Sequence, residues 1–268
     1  MAQTSTHLQI PDSYTIFTIA GHRGFGGDSE DNCIDAFNKA VMYNLDYVET
    51  DVWLTKDSVP VIVHGDHCLP LWKLKHKITK QTTMKFIHDM EYSELSEYVC
   101  AKTENDFLTL TELIEILKKN EVTKLNCELK DWNPEVVKKC IDIVIEKEFI
   151  DRTIFSSFEI QLEKILREEE VKKGLNLGKF PFGYLFDLPD MFRKQDTFKN
   201  IIDNNRLFDH QNTYIITNIL YFCYFEEQAK IWMREMKSGG LKIGWWISHD
   251  ESTEWETDLI FSKLIIAE

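Results

Sequence analysis

Short runs of β-branched and aromatic residues alternate along the chain with longer amphipathic stretches, a pattern that predicts β-strands separated by helices. In the stretch after the first run, Ile34, Phe37, Ala40 and Val41 recur at helical spacing on one face. The predicted strands are Tyr14–Ala20, Tyr47–Trp53, Lys124–Leu129, Thr153–Ser157, Gly183–Phe186, Thr213–Thr217, Lys242–Ser248 and Leu264–Ala267. The predicted helices include Asn32–Tyr43, Leu110–Lys119, Pro134–Lys147, Ile160–Lys173 and Phe225–Lys237.

This order of elements predicts an α/β fold, specifically a (β/α)8 TIM barrel. Such barrels have about 250 residues, and the chain has 268. No Gly-, Ser- or Pro-rich linker divides the sequence. We therefore expect residues 1–268 to form a single domain.

One apolar run, Val59–His64, interrupts the alternation. Too few residues separate it from the second strand for a parallel crossover, so it is predicted to return antiparallel, as a hairpin. With the turn at Lys56-Asp57-Ser58, His64 is expected opposite Asp51. The segment that follows, residues 65–106, shows weak helical patterns and no clear strand. We expect it to be a small insertion in the barrel.

The composition restricts the class of partner. The chain has 31 Lys and Arg against 45 Asp and Glu, a formal net charge of −14. This acid excess argues against nucleic acid or an anionic membrane surface as the main partner, but not against a small phosphate-bearing ligand or a metal ion. No segment has the length of apolar sequence that spans a bilayer, so no stable membrane insertion is expected.

The expected location is cytoplasmic. The first twelve residues contain neither a basic cluster nor an apolar run, so we expect no signal peptide. The six cysteines are scattered without a CxxC pair, which favours reduced thiols over a disulfide framework.

Polar residues occur at the carboxyl ends of the first three predicted strands, where barrel enzymes place their active sites. Glu49 and Asp51 are two residues apart on the second strand, and Glu128 and Lys130 are two apart on the third. Residues two apart share one face of a strand. Neighbouring acids in an apolar strand are costly unless a cation offsets them, so Glu49, Asp51 and Glu128 predict a site for Mg²⁺ or Ca²⁺.

Two histidines and two cations are expected at the same rim. His22 and His64 could act as general acid and general base near neutral pH. Arg23 and Lys130 have the charge that suits a phosphate oxygen. Together with one metal ion, these groups fit phosphodiester cleavage better than other common reactions.

The sequence resembles the glycerophosphodiester phosphodiesterase family over nearly its whole length. The family's HRG strand end is matched by His22-Arg23-Gly24, and its helix start by Glu30-Asp31-Asn32-Cys33. The signature E-x-D-V-x-L-T-x-D is present over Glu49–Asp57, followed by Pro60–His64. Further matches are Leu108-Thr109-Leu110, the E-x-K strand Glu128-Leu129-Lys130, Ser156-Ser157-Phe158, Trp246 and the closing Ile265-Ile266-Ala267-Glu268.

The resemblance implies a metal-dependent phosphodiesterase that releases sn-glycerol 3-phosphate and an alcohol from a small glycerophosphodiester. It implies His22 and His64 as the acid–base pair, with either order open. Glu49, Asp51 and Glu128 would hold the divalent metal, and Arg23 and Lys130 would bind the phosphate. Trp246 is a candidate substrate contact, although it is equally consistent with a core position.

Three positions depart from the family pattern. Gly65 stands where the family has an aspartate after its second histidine, which leaves the orientation of His64 open. Asp31 replaces a glutamate, and Ile247-Ser248-His249 follows Trp246 in place of a more polar strand end.

Two alternatives remain open at this point, as does the oligomeric state. The same chemistry could act on lysophospholipids, with Leu69–Leu74 and Tyr221–Phe225 as an apolar entrance. The chain could also be a catalytically silent barrel that binds phosphodiesters or a protein partner.

Overall fold

The central element of the fold is a closed, curled β-sheet. The computed structural model describes residues 17–25, 31–65, 69–101, 104–187, 190, 195–208, 212–218, 226–246 and 264–267. The barrel strands are β1 (Phe17–Gly21), β2 (Tyr47–Leu54), β7 (Lys124–Leu129), β8 (Thr153–Ser157), β9 (Phe182–Phe186), β10 (Thr213–Asn218), β11 (Lys242–Trp246) and β12 (Leu264–Ala267). The helices are α1 (Ile34–Met42), α2 (Tyr92–Leu95), α3 (Leu110–Leu117), α4 (Glu135–Glu146), α5 (Gln161–Lys172), α6 (Gln195–Phe208) and α7 (Glu226–Ser238).

Strand pairing confirms the predicted barrel of eight strands. β1, β2, β7, β8, β9, β10 and β11 pair in that order, each parallel to the next. β12 closes the sheet and is antiparallel to both β11 and β1, whereas the sequence suggested a uniformly parallel barrel. A continuous apolar run such as Leu264–Ala267 is the same in either direction, so the sequence of β12 does not specify which way the strand runs.

The predicted helices agree with the observed ones to within two residues at each end. α3 shows why one boundary is sharp. The Thr109 hydroxyl accepts a hydrogen bond from the Glu112 amide, and the Glu112 carboxylate accepts one from the Thr109 amide. This reciprocal cap satisfies two amides that the first helical turn leaves unpaired. The predicted strand residues Tyr14–Ile16 and Ile247–Ser248, and Phe225, lie outside the described residues.

The strand β2 has two buried faces with different neighbours. Val48 and Val52 of β2 belong to the main core, which also contains helix residues such as Leu113 and Val137. Between them, Glu49 and Asp51 face the other way, into the barrel. A smaller cluster fills part of the barrel interior and is formed by Ala20, Tyr47, Ile154, Leu185, Tyr214 and Ile216. The alternation therefore directs the polar residues of β2 and β7 to the barrel interior.

The hairpin after β2 is confirmed, but its register differs from the prediction by one residue. β3 (Pro60–Ile62) is antiparallel to β2, with Leu54 opposite Pro60 and Val52 opposite Ile62. The Val63 amide donates to the Asp51 carbonyl at 3.0 Å, so Val63 rather than His64 lies opposite Asp51. The turn is centred on Asp57, as predicted, and its carboxylate accepts a hydrogen bond from the Thr55 hydroxyl. The residues six positions to either side of Asp57 are Asp51 and Val63, so the expected pairing with His64 was wrong by one residue.

The segment between the hairpin and α3 contains strands, and the expectation of no clear strand there was wrong. β4 (Leu71–His76) pairs antiparallel with both β5 (Thr82–Phe86) and β6 (Tyr98–Cys100) in a separate sheet. One face of this small sheet packs on the barrel through Leu74, which is fully buried with Trp53 and Val63. Lysines and threonines alternate with apolar residues on both strands of the β4–β5 hairpin, and they obscure the apolar stripe in the sequence.

No helix in the described ranges is long and apolar enough to cross a membrane.

Candidate active site

Three carboxylates from two adjacent barrel strands meet at one point. Glu49 and Asp51 are on β2 and Glu128 is on β7, where it is directly opposite Asp51. One oxygen from each of the three lies within 4.8 Å of the others. All three residues are buried. The three carboxylates therefore converge, as the sequence predicted.

Burial and mutual repulsion act on this cluster. Burial, together with the nearby charges of Asp51 and Glu128, holds the pKa of Glu49 well above its ordinary value. Burial likewise raises the pKa of Glu128, although Lys130 opposes the shift. Burial also disfavours ionisation of Asp51, but Lys130 and Arg23 outweigh it, and the pKa of Asp51 lies below its usual range. A neighbouring cation therefore decides which carboxylate is ionised.

The donor set fits a hard divalent cation. Carboxylate oxygens are the ligands that Mg²⁺ and Ca²⁺ prefer. In the part of the chain that the structure describes, Glu49 Oε1 is buried and has no hydrogen-bond partner. A buried carboxylate oxygen without a partner is costly, and a bound cation would offset that cost. Glu49, Asp51 and Glu128 are thus the residues that could hold a metal here.

His22 and Arg23 reach the cluster from a tight turn after β1. A Cβ at Gly21 would lie 1.9 Å from the Gly24 carbonyl oxygen, so the turn requires glycine there. Arg23 has a φ of 55°, and its amide donates to Glu49 Oε2 at 2.9 Å. His22 Nε2 lies 3.8 Å from the same carboxylate oxygen. The turn therefore places His22 beside Glu49.

The guanidinium of Arg23 connects two acids. Its Nε lies 3.3 Å from Asp51 Oδ2, and its Nη1 donates to Asp31 Oδ2 at 3.2 Å. The shorter Asp31, which departs from the family glutamate, thus serves as a partner of Arg23. Lys130 contributes the second cation, with Nζ 2.8 Å from Glu128 Oε1 and 3.2 Å from Asp51 Oδ1. Both predicted phosphate-binding residues therefore lie at the carboxylates.

His64 approaches from the end of the hairpin and carries its proton on a defined nitrogen. Its Nδ1 lies 3.0 Å from the Gly65 carbonyl oxygen, a contact that requires Nδ1 to donate. Burial lowers the pKa of His64 to about 4; Asp51 opposes the shift, whereas Lys130 and Arg23 add to it. A neutral imidazole with a proton on Nδ1 leaves Nε2 free to accept one.

The glycine after His64 has a structural cause. Gly65 has a φ of 84°, and a Cβ there would lie 1.9 Å from the carbonyl oxygen of Leu69. An aspartate at this position would collide with that backbone. The indole of Trp53 donates to the His64 carbonyl at 3.3 Å and fixes the same loop from the other side. The substitution thus brings the small sheet directly against the His64 loop.

Asn32 is a site residue that the sequence reasoning did not select. Its side-chain amide donates to Asp51 Oδ2 at 2.8 Å, and its side-chain oxygen accepts from the Thr50 hydroxyl at 2.9 Å. Its φ of 55° turns the chain just before α1. The sequence feature that could have indicated Asn32 is its position in the Glu30–Cys33 motif, directly before a helix that starts without a side-chain cap.

Trp246 is the last residue of β11, next to Asn218 of β10 and Leu264 of β12. Its side chain lies outside the described residues, so its predicted contact with substrate stays a prediction.

Comparison with known proteins agrees with this geometry. The model of the glycerophosphoryl diester phosphodiesterase family matches residues 22–203. A glycerophosphodiester phosphodiesterase of Bacillus altitudinis is 29% identical over 150 residues, which are 52% of this chain and 57% of that protein. A lysophospholipase D of Mus musculus is 27% identical over 132 residues, 46% of this chain and 39% of that protein. The chain thus spans about half the length of these curated relatives.

Solved structures support the fold. A Silicibacter pomeroyi protein, proposed to be a glycerophosphoryl diester phosphodiesterase, aligns with a TM-score of 0.69 at 19% identity, covering 88% of this chain and 84% of that one. A phosphodiesterase of Oleispira antarctica, solved with sn-glycerol-3-phosphate, aligns with a TM-score of 0.61 at 20% identity, covering 88% and 86%. Because the family model matches more than half of the residues of this chain, the chain belongs to the glycerophosphoryl diester phosphodiesterase family.

Proposed function

We propose that the protein is a metal-dependent phosphodiesterase that hydrolyses small glycerophosphodiesters to sn-glycerol 3-phosphate and an alcohol. The observation that carries the proposal is the convergence of three buried carboxylates, two histidines and two cations at one end of the barrel. A barrel alone would not justify the assignment, since the same fold hosts many chemistries.

Glu49, Asp51 and Glu128 are the proposed ligands of the metal, either Mg²⁺ or Ca²⁺. When bound, such an ion supplies Lewis acidity to a phosphate oxygen and to the neighbouring substrate hydroxyl. Glu49 Oε1 supports this assignment, because it is a buried oxygen with no hydrogen-bond partner among the described residues.

The two histidines divide the proton transfers in this proposal. Neutral His64 accepts the proton of the substrate hydroxyl next to the phosphate, as that oxygen attacks phosphorus. His22, beside Glu49, donates a proton to the leaving alcohol as its P–O bond breaks. A cyclic phosphodiester results, and water then opens it with the proton transfers reversed, which restores both histidines. Arg23 and Lys130 stabilise the charge on the phosphoryl oxygens.

Release of glycerol 3-phosphate from glycerophosphocholine tests the proposal. His22→Ala and His64→Ala are each expected to lower kcat by about 10²- to 10⁴-fold, the usual contribution of a general acid or base. His88→Ala is the matched control, because His88 is half exposed and pairs with Asp89 at 3.4 Å, on the small sheet's side of the molecule. Undiminished turnover in both active-site variants would contradict the assignment.

A second candidate activity, lysophospholipase D, is favoured by the exposed face of the small sheet. Leu69, 38% exposed, lies two residues before β4, and its carbonyl packs against Gly65 beside His64. Phe86 of β5, also 38% exposed, is opposite Leu71 at the same end of the sheet. The other predicted part of the entrance, Tyr221–Phe225, lies outside the described residues. An apolar surface next to the site suits an acyl chain, and the mouse relative is named for activity of this type.

Comparing two substrates separates the activities. If lysophospholipid is the substrate, Leu69→Ser/Phe86→Ser lowers turnover of lysophosphatidylcholine while turnover of glycerophosphocholine is unchanged. Val171→Ser, at a 61% exposed apolar position on α5, is the control for general effects. Turnover of glycerophosphocholine alone would exclude the lysolipid activity. If neither diester is cleaved, the catalytically silent barrel is the correct interpretation.

A further inference from the structure

The opposite end of the barrel contains a basic cavity that the proposed reaction does not use. It is about 470 Å³ in volume and lies at the amino ends of the strands. Lys124 is the first residue of β7 and Lys242 the first residue of β11. Six residues separate Lys124 from Lys130 on this part of the chain, about 20 Å of extended strand. One small ligand cannot therefore contact both ends.

The two lysines lie over buried aromatic rings at this end of the barrel, with Lys124 exposed and Lys242 half-buried. Lys124 Nζ lies 5.4 Å from the ring centre of Tyr47, and Lys242 Nζ lies 5.2 Å from that of Tyr214. Tyr47 and Tyr214 belong to the buried cluster in the barrel. Lys242 Nζ also donates to the Tyr214 hydroxyl at 3.3 Å. These contacts hold the ammonium groups at the cavity without neutralising them.

Asp151 is the acid among the described residues that line the cavity, and it pairs with Lys179 at 2.5 Å. Within the described residues, neither Lys124 nor Lys242 lies within 4 Å of a carboxylate. The remaining cation, Arg152, donates to the carbonyls of Leu117, Asn120 and Thr123, and its Nε is buried without a hydrogen-bond partner.

Polar groups complete the lining. The side chains of Asn176 and Asn212 border the cavity, and the Asn212 amide donates to the Gly178 carbonyl at 3.4 Å. Amide and ammonium donors, grouped in a concave site, match the oxygens of an anion. In a chain with a net charge of −14, such a cluster of cations is a local reversal of charge.

We propose that this cavity binds a multiply charged oxyanion, namely phosphate or a phosphate monoester, with Lys124 and Lys242 as its principal cations. Charge-assisted hydrogen bonds from lysine are the usual means of holding such oxygens. The site is separate from the carboxylate centre and does not depend on the proposed reaction.

Titration calorimetry with inorganic phosphate, in the presence of a chelator, tests the proposal on the full chain. Lys124→Met/Lys242→Met is expected to weaken phosphate binding by at least about tenfold, a change of ~1.4 kcal/mol. Lys124→Arg/Lys242→Arg is expected to retain it. Lys164→Met/Lys237→Met, on the exposed faces of α5 and α7, removes the same charge elsewhere and is the matched control.

A fourth variant separates the two ends of the barrel. Lys130→Met alters the carboxylate centre and is expected to leave phosphate binding at the basic cavity unchanged. Binding that survives undiminished when Lys124→Met/Lys242→Met is combined with Lys130→Met, or that is lost in Lys130→Met alone, overturns the proposal. Circular dichroism of each variant checks the fold, and binding by the arginine pair distinguishes lost charge from lost structure. Glycerol 3-phosphate in place of phosphate then tells whether the site accepts a monoester.

Discussion

Asn32 gives the sharpest test of how the carboxylate centre is held. The asparagine performs two tasks: its amide donates to Asp51 at 2.8 Å, and its backbone adopts a φ of 55°. Asn32→Gly removes only the amide, because glycine accepts a positive φ without strain. Asn32→Ala removes the amide and also the tolerance that asparagine has for the left-handed region.

The expected sizes follow from these contacts. A hydrogen bond to a charged group contributes about 1.5–3 kcal/mol to stability. Asparagine tolerates the left-handed region, whereas alanine pays about 1–2 kcal/mol for it. Asn32→Gly should therefore lower the free energy of unfolding by about 1.5–3 kcal/mol, and Asn32→Ala by about 2.5–5 kcal/mol.

Urea denaturation in the presence of a chelator, followed by circular dichroism, measures both variants. Asn44 is the control, since it is exposed and has a φ of 51°. Asn44→Ala should be less stable than Asn44→Gly by the same backbone term, with neither showing the additional loss at Asn32. If Asn32→Gly is as stable as the wild type, the amide does not hold Asp51 and this account of the site is wrong.

Three further predictions concern pH, metal and the core. The pKa of His64 is lowered from 6.5 to about 4, so neutral His64 stabilises the fold above pH 6.5 and this contribution is lost as pH falls toward 4. His64→Gln should flatten that part of the curve of unfolding free energy against pH, and an unchanged slope would refute the shift. Because the pKa of Glu49 is raised, Glu49→Gln should keep or increase the stability of the metal-free protein at pH 7.5, whereas the rise in Tm on adding Mg²⁺ or Ca²⁺ should disappear. The control Glu146→Gln, at an exposed position on α4, should retain that rise, and a rise in Glu49→Gln would exclude Glu49 as a ligand. Glu170 is fully buried and accepts hydrogen bonds from Arg167 Nη1 and from the amides of Gly178 and Phe180. In urea denaturation, Glu170→Gln should therefore lower the free energy of unfolding by about 3 kcal/mol, and Glu168→Gln, at an exposed position, by less than about 0.5 kcal/mol. Equal losses in the two variants would contradict this role of Glu170.

Most of the barrel could be predicted because its strands and helices each have a distinct periodicity. The two-residue spacing of Glu49 and Asp51 on β2 predicted a common face, and Glu128 on the adjacent strand predicted their meeting. The direction of β12 could not be predicted, because the apolar pattern of Leu264–Ala267 does not depend on direction.

The small sheet and Asn32 show a different limit. The β4–β5 hairpin is buried on one face only, and lysines such as Lys73 and Lys75 interrupt its apolar positions, so its strands could not be recognised from their residue pattern. The contact between Asn32 and Asp51 joins a loop to a strand 19 positions away, and the residues next to Asn32 do not predict which strand residue it contacts. In the hairpin, a register error of one residue changed the partner of Asp51 from His64 to Val63.

Metal dependence of diester cleavage is the central claim, and one assay addresses it directly. Release of glycerol 3-phosphate from glycerophosphocholine by the purified protein is followed before chelation, after chelation, and after Mg²⁺ or Ca²⁺ is added back. The account predicts turnover that stops with the chelator and returns with the metal. Release that continues unchanged in the chelator would contradict a carboxylate-held metal, and no release from any glycerophosphodiester with either metal would contradict the proposed reaction.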